Sequence, residues 1–134
     1  MEDVVMHEHD VVVIGAGGAG LRAAIEASAA GVSVAMICKS MLGKAHTVMA
    51  EGGAAAALAN KDHRDSWQIH FRDTMKGGKY LGDWRMAQIH AQQAPDRIRE
   101  LEQWGAVFDR TSKGLTSQRN FGGHTYPRLA HIGD

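Results

Sequence analysis

The feature that most constrains this sequence is a glycine-rich turn of the form G-x-G-x-x-G, Gly15-Ala16-Gly17-Gly18-Ala19-Gly20. It directly follows the β-branched run Asp10 to Ile14 and opens a helical pattern that stops at Gly31. In this motif one glycine permits the tight turn, one lets the backbone approach a pyrophosphate, and one lets the helix pack closely on the strand. The phosphates then bind free N–H groups at the helix N-terminus, so the turn predicts a dinucleotide site.

A second strand, Val32 to Cys38, follows the helix and completes a strand–helix–strand unit of about 30 residues. The first strand shows no polar alternation, which is typical of a parallel strand that is buried on both faces. The crossover of such a unit is almost always right-handed. We therefore expect an α/β fold of the Rossmann-like βαβ type, with a parallel sheet.

The end of the second strand bears on the kind of dinucleotide. An Asp or Glu commonly stands there and bonds the adenine ribose hydroxyls. This chain has Cys38, followed by Lys39 and Ser40, so an ordinary NAD dehydrogenase is disfavoured. The glycine motif alone does not choose between FAD and NAD. We interpret Cys38 as a small, buried apolar side chain rather than a redox group.

The residues after the βαβ unit predict a mostly helical segment. Asp65 or Ser66 is a candidate N-cap for a helix that ends at Gly77-Gly78, and Asp83 is a candidate cap for the next one. Proline is favoured in the first turn of a helix, so Pro95 to Trp104 reads as a further, separate helix.

Two smaller elements complete the prediction. Ala54 to Ala59 has the composition of a short helix, and apolar residues on either side of Thr111 to Gly114 indicate a small hairpin. Only two strands of a parallel sheet are predicted, too few to bury both of its faces. We therefore expect an incomplete domain, with residues 1–59 forming the βαβ unit and its following loop, and residues 60–134 the helical and hairpin insertion.

Composition excludes several classes of function. The 134 residues carry no formal net charge, so nucleic acid is not an expected partner. The apolar run Asp10 to Leu21 is short and broken by glycine, so direct membrane insertion is not expected either. Cys38 is the single cysteine, which rules out an internal disulfide. The eight histidines lack the tight spacing of a metal site, so no metal is expected.

The most specific segment is His46-Thr47-Val48-Met49-Ala50-Glu51-Gly52-Gly53. It resembles the flavin-attachment motif of the complex II flavoproteins, the flavoprotein subunits of succinate dehydrogenase and fumarate reductase. The resemblance extends from the Gly15 to Gly20 turn to Arg119-Asn120-Phe121-Gly122-Gly123, and the residues that follow look like an actinobacterial branch. Two residues depart from the family pattern: Met49, where small residues are frequent, and Ala45, where serine is usual.

This resemblance implies FAD as the cofactor, bound covalently through a ring nitrogen of His46 to the flavin 8α carbon. It implies that the cofactor-binding residues fall in three groups: Gly15, Ala16, Gly17, Gly18, Ala19 and Gly20; Cys38, Lys39 and Ser40; and Ala45, His46, Thr47, Ala50, Glu51, Gly52 and Gly53. An imidazole nitrogen is a suitable nucleophile for such a bond. Ala45 lacks the usual hydroxyl, so one flavin hydrogen bond is in question.

By the same resemblance, Phe121 and Gly53 lie at the dicarboxylate substrate, and the proton-transfer residues belong to segments downstream of Asp134. The capping and C-terminal domains would also be absent. The implied partners are membrane anchor subunits together with an iron–sulfur subunit, with the protein in the cytoplasm, peripheral on the inner face of the cell membrane. The alternatives are a non-covalent FAD oxidase of the L-aspartate oxidase type, a non-catalytic dinucleotide-binding module, and a helical docking role.

Overall fold

The computed structural model describes residues 4–133, which form two compact units divided between Glu51 and Gly52. The first unit consists of strand β1 (Val11–Ile14), helix α1 (Gly18–Ala29), strand β2 (Val34–Ile37) and a one-turn 3-10 helix (His46–Met49). Strands β1 and β2 pair in parallel, with Val11 opposite Val34 and Ile14 opposite Ile37. The predicted βαβ unit is therefore confirmed.

Polar contacts fix the register where both strands begin. The Asp10 carboxylate accepts hydrogen bonds from the Ser33 backbone N–H at 2.8 Å and from the Ser33 hydroxyl at 2.7 Å. The Asp10 N–H donates to Ser33 Oγ at 3.0 Å. Helix α1 ends as predicted, because Gly31 adopts a φ of +83°, which a glycine adopts without strain.

The expectation that β1 is buried on both faces is wrong for this chain. Half-buried and exposed residues alternate along it, and Ile14 is 84% exposed. Helix α1 packs against both strands of the two-stranded sheet and covers one face. Among the described residues of this unit, no element covers the other face.

The second unit packs two helices with a small antiparallel sheet. Its helices are α2 (Trp67–Gly77) and α3 (Trp84–Gln103), and its strands are β3 (Ala54–Ala55), β4 (Gln118–Arg119) and β5 (Leu129–Ala130), arranged in the order β3-β5-β4. The buried apolar core comprises Ala56, Ala94, Ile98, Phe108 and Ala130. None of the helices within residues 4–133 is both long and apolar enough to cross a membrane.

The prediction of a short helix over Ala54 to Ala59 is wrong. Ala54 and Ala55 pair with β5 instead, and the Ala56 N–H donates to the Arg128 carbonyl at 2.9 Å. The Gln118 side-chain amide also donates to the Ala56 carbonyl at 2.7 Å. These tertiary hydrogen bonds override the helical propensity of a short alanine run.

The predicted helix caps are confirmed, but the separate helix at Pro95 is not. Ser66 Oγ accepts from the Ile69 N–H at 3.4 Å, and Asp83 Oδ1 accepts from the Arg85 N–H at 2.8 Å. Helix α3 runs continuously through Pro95. Proline removes one backbone hydrogen bond from a helix interior, and here residues on both sides of it pack into the same core, which holds the helix together.

The predicted hairpin is present in a short form. Arg110 and Thr116 form a single antiparallel bridge, and the Thr111 N–H donates to the Leu115 carbonyl at 2.8 Å. The chain then enters β4 and pairs with β5, which sequence analysis did not predict. The fold class is confirmed: an α/β chain with a parallel βαβ unit, followed by a mostly helical segment with a small hairpin.

Candidate cofactor-binding site

The glycine turn connects β1 to α1 with two positions at which only glycine fits. Gly15 has a φ of +108°, and its N–H donates to the Ile37 carbonyl at 2.8 Å. A Cβ atom on Gly20 would lie 1.8 Å from the Gly15 carbonyl oxygen, so the first turn of α1 has no room for a side chain at this position. Helix α1 begins directly after Gly17, with its N-terminus at the turn. Such an end is favourable for a phosphate group.

The residues after β2 form a second part of the same region. Cys38, Lys39 and Ser40 follow the last residue of β2, and all three are exposed. The Cys38 thiol donates to the Ser40 carbonyl at 2.7 Å. Our interpretation of Cys38 as a buried apolar residue is therefore wrong: the chain leaves the sheet at this point and turns toward the surface.

The third part is the 3-10 helix that begins at His46. The Thr47 hydroxyl accepts a hydrogen bond from the Gly18 N–H at 3.0 Å, which ties this helix to the N-terminus of α1. A Cβ on Gly17 would lie 3.3 Å from the same hydroxyl oxygen, so bare glycines make room for Thr47. Ala45 is the N-cap of the 3-10 helix and makes no side-chain cap hydrogen bond. Serine and threonine are favoured at such a position.

These three parts line one cleft of about 560 Å³. Its lining contains two lysines, Lys39 and Lys44, and no Asp or Glu. The lysines and the N-terminus of α1 favour an anionic group, and the bare glycines let it approach the backbone. The arrangement therefore fits a dinucleotide pyrophosphate. The cleft is lined by Gly15, Ala16, Gly17, Cys38, Lys39, Ser40, Met41, Lys44, Ala45, His46 and Thr47.

Sequence reasoning did not single out Met41 or assign Lys44 to this cleft. Gly18, Ala19 and Gly20 do not line it and instead form the first turn of α1. Ala50 is the C-cap of the 3-10 helix, and its N–H donates to the Thr47 carbonyl at 3.2 Å. Glu51 is exposed.

The remaining predicted residues lie in the second unit. Gly53 has a φ of +114°, and a Cβ there would lie 2.3 Å from the Ala130 carbonyl oxygen. The Gly52 carbonyl accepts from the Arg119 guanidinium at 3.0 Å. Phe121 is 61% exposed, and its ring lies 3.8 Å from the position of a Cβ on Gly52. The structure thus brings Phe121 and the Gly52-Gly53 turn together.

A buried charged cluster in the second unit was missed by sequence reasoning. Arg128 is fully buried, and its guanidinium donates to Asp65 at 2.8 Å and to Asp73 at 2.9 Å. Buried His70 and half-buried His124 lie nearby, with ring centroids 6.5 Å apart. Arg128 lies 63 residues from Asp65 and 55 residues from Asp73 along the chain, so no local spacing pattern reveals the cluster. In residues 4–133, no group of three or more His, Cys, Asp or Glu is arranged to hold a metal ion.

Burial controls ionisation in this cluster. It raises the pKa of Asp65 against the opposing charge of Arg128. Burial and the charge of Arg128 lower the pKa of His70 to about 4 and also lower that of His124. Both imidazoles are therefore neutral at pH 7. Within the described part of the chain, His70 Nδ1, His124 Nδ1 and Arg128 Nη1 have no hydrogen-bond partner.

Comparisons with known proteins find relatives that match nearly the whole of this chain. A fumarate reductase (CoM/CoB) subunit of Methanothermobacter marburgensis is 48% identical over 130 residues, which cover 96% of this chain and 24% of that protein. The succinate dehydrogenase flavoprotein subunit of Rickettsia bellii is 46% identical over 123 residues, 92% of this chain and 20% of that protein. This chain therefore spans about a fifth of the length of these relatives.

A solved structure, Mycobacterium smegmatis Sdh1 in complex with UQ1, is 70% identical with a TM-score of 0.91 and covers 96% of this chain and 21% of that chain. This similarity supports the predicted actinobacterial branch. Residues 10–134 match the FAD binding domain family. The chain therefore belongs to the FAD binding domain family, in the branch whose members include the flavoprotein subunits of succinate dehydrogenase and fumarate reductase.

Proposed function

We propose that this chain is the FAD-binding part of a flavoprotein that interconverts succinate and fumarate. The observation that carries the proposal is the shared cleft, in which the glycine turn and the His46-Thr47 segment line one space with two lysines and no acid. A dinucleotide loop and a histidine-bearing loop at one cleft are what a tethered flavin requires. The chain spans about a fifth of the length of its relatives, and we propose that the acid–base residues belong to other segments of the full-length protein.

The cofactor-binding role falls to three parts of the cleft. The N–H groups at the start of α1, together with Lys39 and Lys44, bind and neutralise the pyrophosphate. Thr47 ties the 3-10 helix to the glycine turn, so the position of His46 follows that of the bound phosphates. When bound, FAD supplies the two-electron acceptor for a hydride from succinate.

We further propose that His46 holds the FAD covalently. The side chain is exposed at the cleft and begins the 3-10 helix, so its imidazole is accessible to a bound flavin. Unprotonated imidazole is a nucleophile, and one ring nitrogen of His46 would replace a hydrogen on the flavin 8α carbon, with release of two protons and transfer of two electrons to an external acceptor. Ala45 gives the 3-10 helix no side-chain cap, so the side-chain contact that ties this loop to α1 comes from Thr47.

In the second unit, we propose that Phe121 and Gly53 contact the dicarboxylate. Phe121 presents an exposed ring beside the Gly52-Gly53 turn, where a bound dicarboxylate would cover it. The backbone at Gly53 adopts a conformation that favours glycine and leaves no room for a side chain. An apolar ring and a bare backbone turn are suited to enclosing the methylene carbons of succinate while other groups bind its carboxylates.

The proposed partners follow from the reaction. Electrons that leave the flavin need an acceptor, which we propose is an iron–sulfur subunit of a complex II-type assembly. Membrane anchor subunits would hold this assembly on the inner, cytoplasmic face of the cell membrane.

The test is fluorescence of the full-length protein under ultraviolet light after SDS denaturation and electrophoresis. The wild type should show a flavin band that survives denaturation, and His46→Ser should lose it. His63→Ser is the matched control, since His63 lies outside the cleft, and it should keep the band. Wild-type protein should also oxidise succinate with an artificial electron acceptor.

Three results would contradict the proposal in different ways. A wild type without the band would reject the tether and leave a non-covalent flavoprotein of the aspartate oxidase type or a plain dinucleotide-binding module. A band that persists in His46→Ser would place the tether on another residue. Absence of succinate oxidation in a flavin-loaded wild type would reject the proposed substrate.

A further inference from the structure

The loop that carries Phe121 lies against the buried charged cluster of Arg128, Asp65 and Asp73. Arg128 is fully buried, and Asp65 and Asp73 are 5% and 9% exposed. Burying three charges is costly, and replacing such a group by apolar side chains is often neutral or stabilising. The ion pairs alone therefore do not explain why this cluster is buried.

Asp73 has a second set of contacts beyond Arg128. Its Oδ2 accepts from the Thr125 backbone N–H at 2.8 Å, and its Oδ1 accepts from the Thr125 hydroxyl at 2.7 Å. The Thr125 hydroxyl also accepts from the Arg72 guanidinium at 3.3 Å. Asp73 and Arg72 belong to helix α2, so one residue of the loop is attached to a rigid element by three hydrogen bonds.

The attachment at Thr125 lies close to Phe121. The His124 N–H donates to the Phe121 carbonyl at 3.1 Å, which closes a tight turn through Gly122 and Gly123. The rings of Phe121 and His124 are 6.2 Å apart. The position of Phe121 is therefore set by a short turn whose far end is fixed to α2.

The charge environment keeps this attachment intact near neutral pH. The groups that face Asp73 are Arg128, Arg72, Asp65, His70 and His124. Burial raises the pKa of Asp73, but the hydrogen bonds from Thr125 and the charge of Arg128 outweigh it and hold that pKa below its ordinary value. The carboxylate of Asp73 is thus ionised near neutral pH and accepts the hydrogen bonds from Thr125.

We propose that Asp73, acting through Thr125, is a positioning residue for Phe121 and so sets the fit of the dicarboxylate. This inference rests on the proposed function, because it assigns Phe121 to the substrate. Asp73 touches neither substrate nor cofactor in this role. Arg128 and Asp65 hold Asp73 in place from the opposite side.

The test uses the full-length protein with the variants Thr125→Val and Thr125→Ser. Valine removes the hydroxyl at nearly constant volume and leaves the Asp73–Arg128 pair intact, so the cluster should still fold. We expect kcat/KM for succinate to fall about tenfold, mainly through KM, because the turn loses one of its bonds to a buried carboxylate. Covalent flavin content should be unchanged, and Thr125→Ser should restore KM.

Thr111→Val is the matched control, since the Thr111 hydroxyl is also hydrogen-bonded, as the acceptor from the Leu115 backbone N–H at 3.2 Å, but lies in the hairpin and not beside Asp73. It should leave KM unchanged. The inference is overturned if Thr125→Val has the wild-type KM, or if its activity falls only in proportion to flavin content. A wild type that carries flavin but does not oxidise succinate rejects the proposed function itself, a result separate from any effect of the variants.

Discussion

Replacing Gly20 by alanine is the sharpest test of the glycine turn. The new Cβ would start 1.8 Å from the Gly15 carbonyl oxygen, and real Cβ atoms essentially never approach closer than 3.0 Å. The atoms must therefore separate by about 1.2 Å, the difference between these two distances. The obstacle is backbone rather than a flexible side chain, so the first turn of α1 must move relative to the loop.

The size of this movement sets the expected loss of FAD affinity. N–H···O hydrogen bonds span only about 2.7 to 3.2 Å, so a displacement of about 1.2 Å breaks those that join the turn to a phosphate. Each hydrogen bond to a charged acceptor contributes about 1.5–3 kcal/mol. The loss of two would cost about 3–6 kcal/mol, which weakens binding by about 10²- to 10⁴-fold.

The assay is titration of the full-length apoprotein with FAD, followed by quenching of flavin fluorescence. Gly82→Ala is the matched control, because a Cβ on Gly82 meets no atom within 4 Å. It should bind FAD like the wild type, whereas Gly20→Ala should bind at least about 100-fold more weakly. If both variants bind within about threefold of wild type, the turn tolerates a side chain and the steric argument is wrong.

Three further predictions concern the second unit. Ile98→Ala removes a side chain that is 3% exposed in the core and should cost about 2–5 kcal/mol, measured as a lower urea midpoint of the full-length protein; an unchanged midpoint would contradict the packing. Arg128→Met leaves two buried carboxylates without their cation and should cost about 3–5 kcal/mol near pH 7. The loss of unfolding free energy should become smaller on acidification, because protonation neutralises the unpaired carboxylates. A loss that is independent of pH would contradict this explanation. Burial lowers the pKa of His70 from 6.5 to about 4, so the unfolded chain binds its proton first and stability should fall as pH drops from 6.5 toward 4. His70→Gln should reduce that acid sensitivity, and an NMR titration of His70 near 6.5 would refute the assignment.

Local patterns predicted the strands and helix of the βαβ unit, because these elements are set by neighbours in sequence. The glycine turn, the β-branched strands and Gly31 each encode one step of the βαβ unit. The caps at Ser66 and Asp83 were also predictable, since a cap acts on backbone groups only two or three residues away.

Local patterns failed where distant residues compete. Ala54 and Ala55 became a strand because β5 offers them backbone partners, and no property of the alanine run indicates this. Pro95 was placed in the first turn of a new helix, yet the core contacts of Ala94 and Ile98 hold one helix together across it. Exposure of Cys38 was misjudged because residue type describes average burial and not the point at which a chain leaves a sheet.

The same difference between local and distant contacts decides which residues near the candidate site could be predicted. Its glycines and His46 were predictable because their chemistry restricts the residue type at a fixed spacing. The charged cluster was not, because Arg128, Asp65 and Asp73 look individually like surface residues. Only the three-dimensional structure shows that the two carboxylates and the guanidinium form one buried cluster.

The two loops that carry the proposed functional side chains are both fixed to a helix by the hydroxyl of a threonine. A short loop has too few backbone hydrogen bonds to hold a side chain within the tolerance that flavin or substrate chemistry needs. Beside His46, the Thr47 hydroxyl accepts from the N-terminus of α1, and near Phe121 the Thr125 hydroxyl donates to a carboxylate on α2. In each case one threonine transfers the rigidity of a helix to a neighbouring loop residue. A conservative change at either threonine should therefore alter binding geometry before it alters folding.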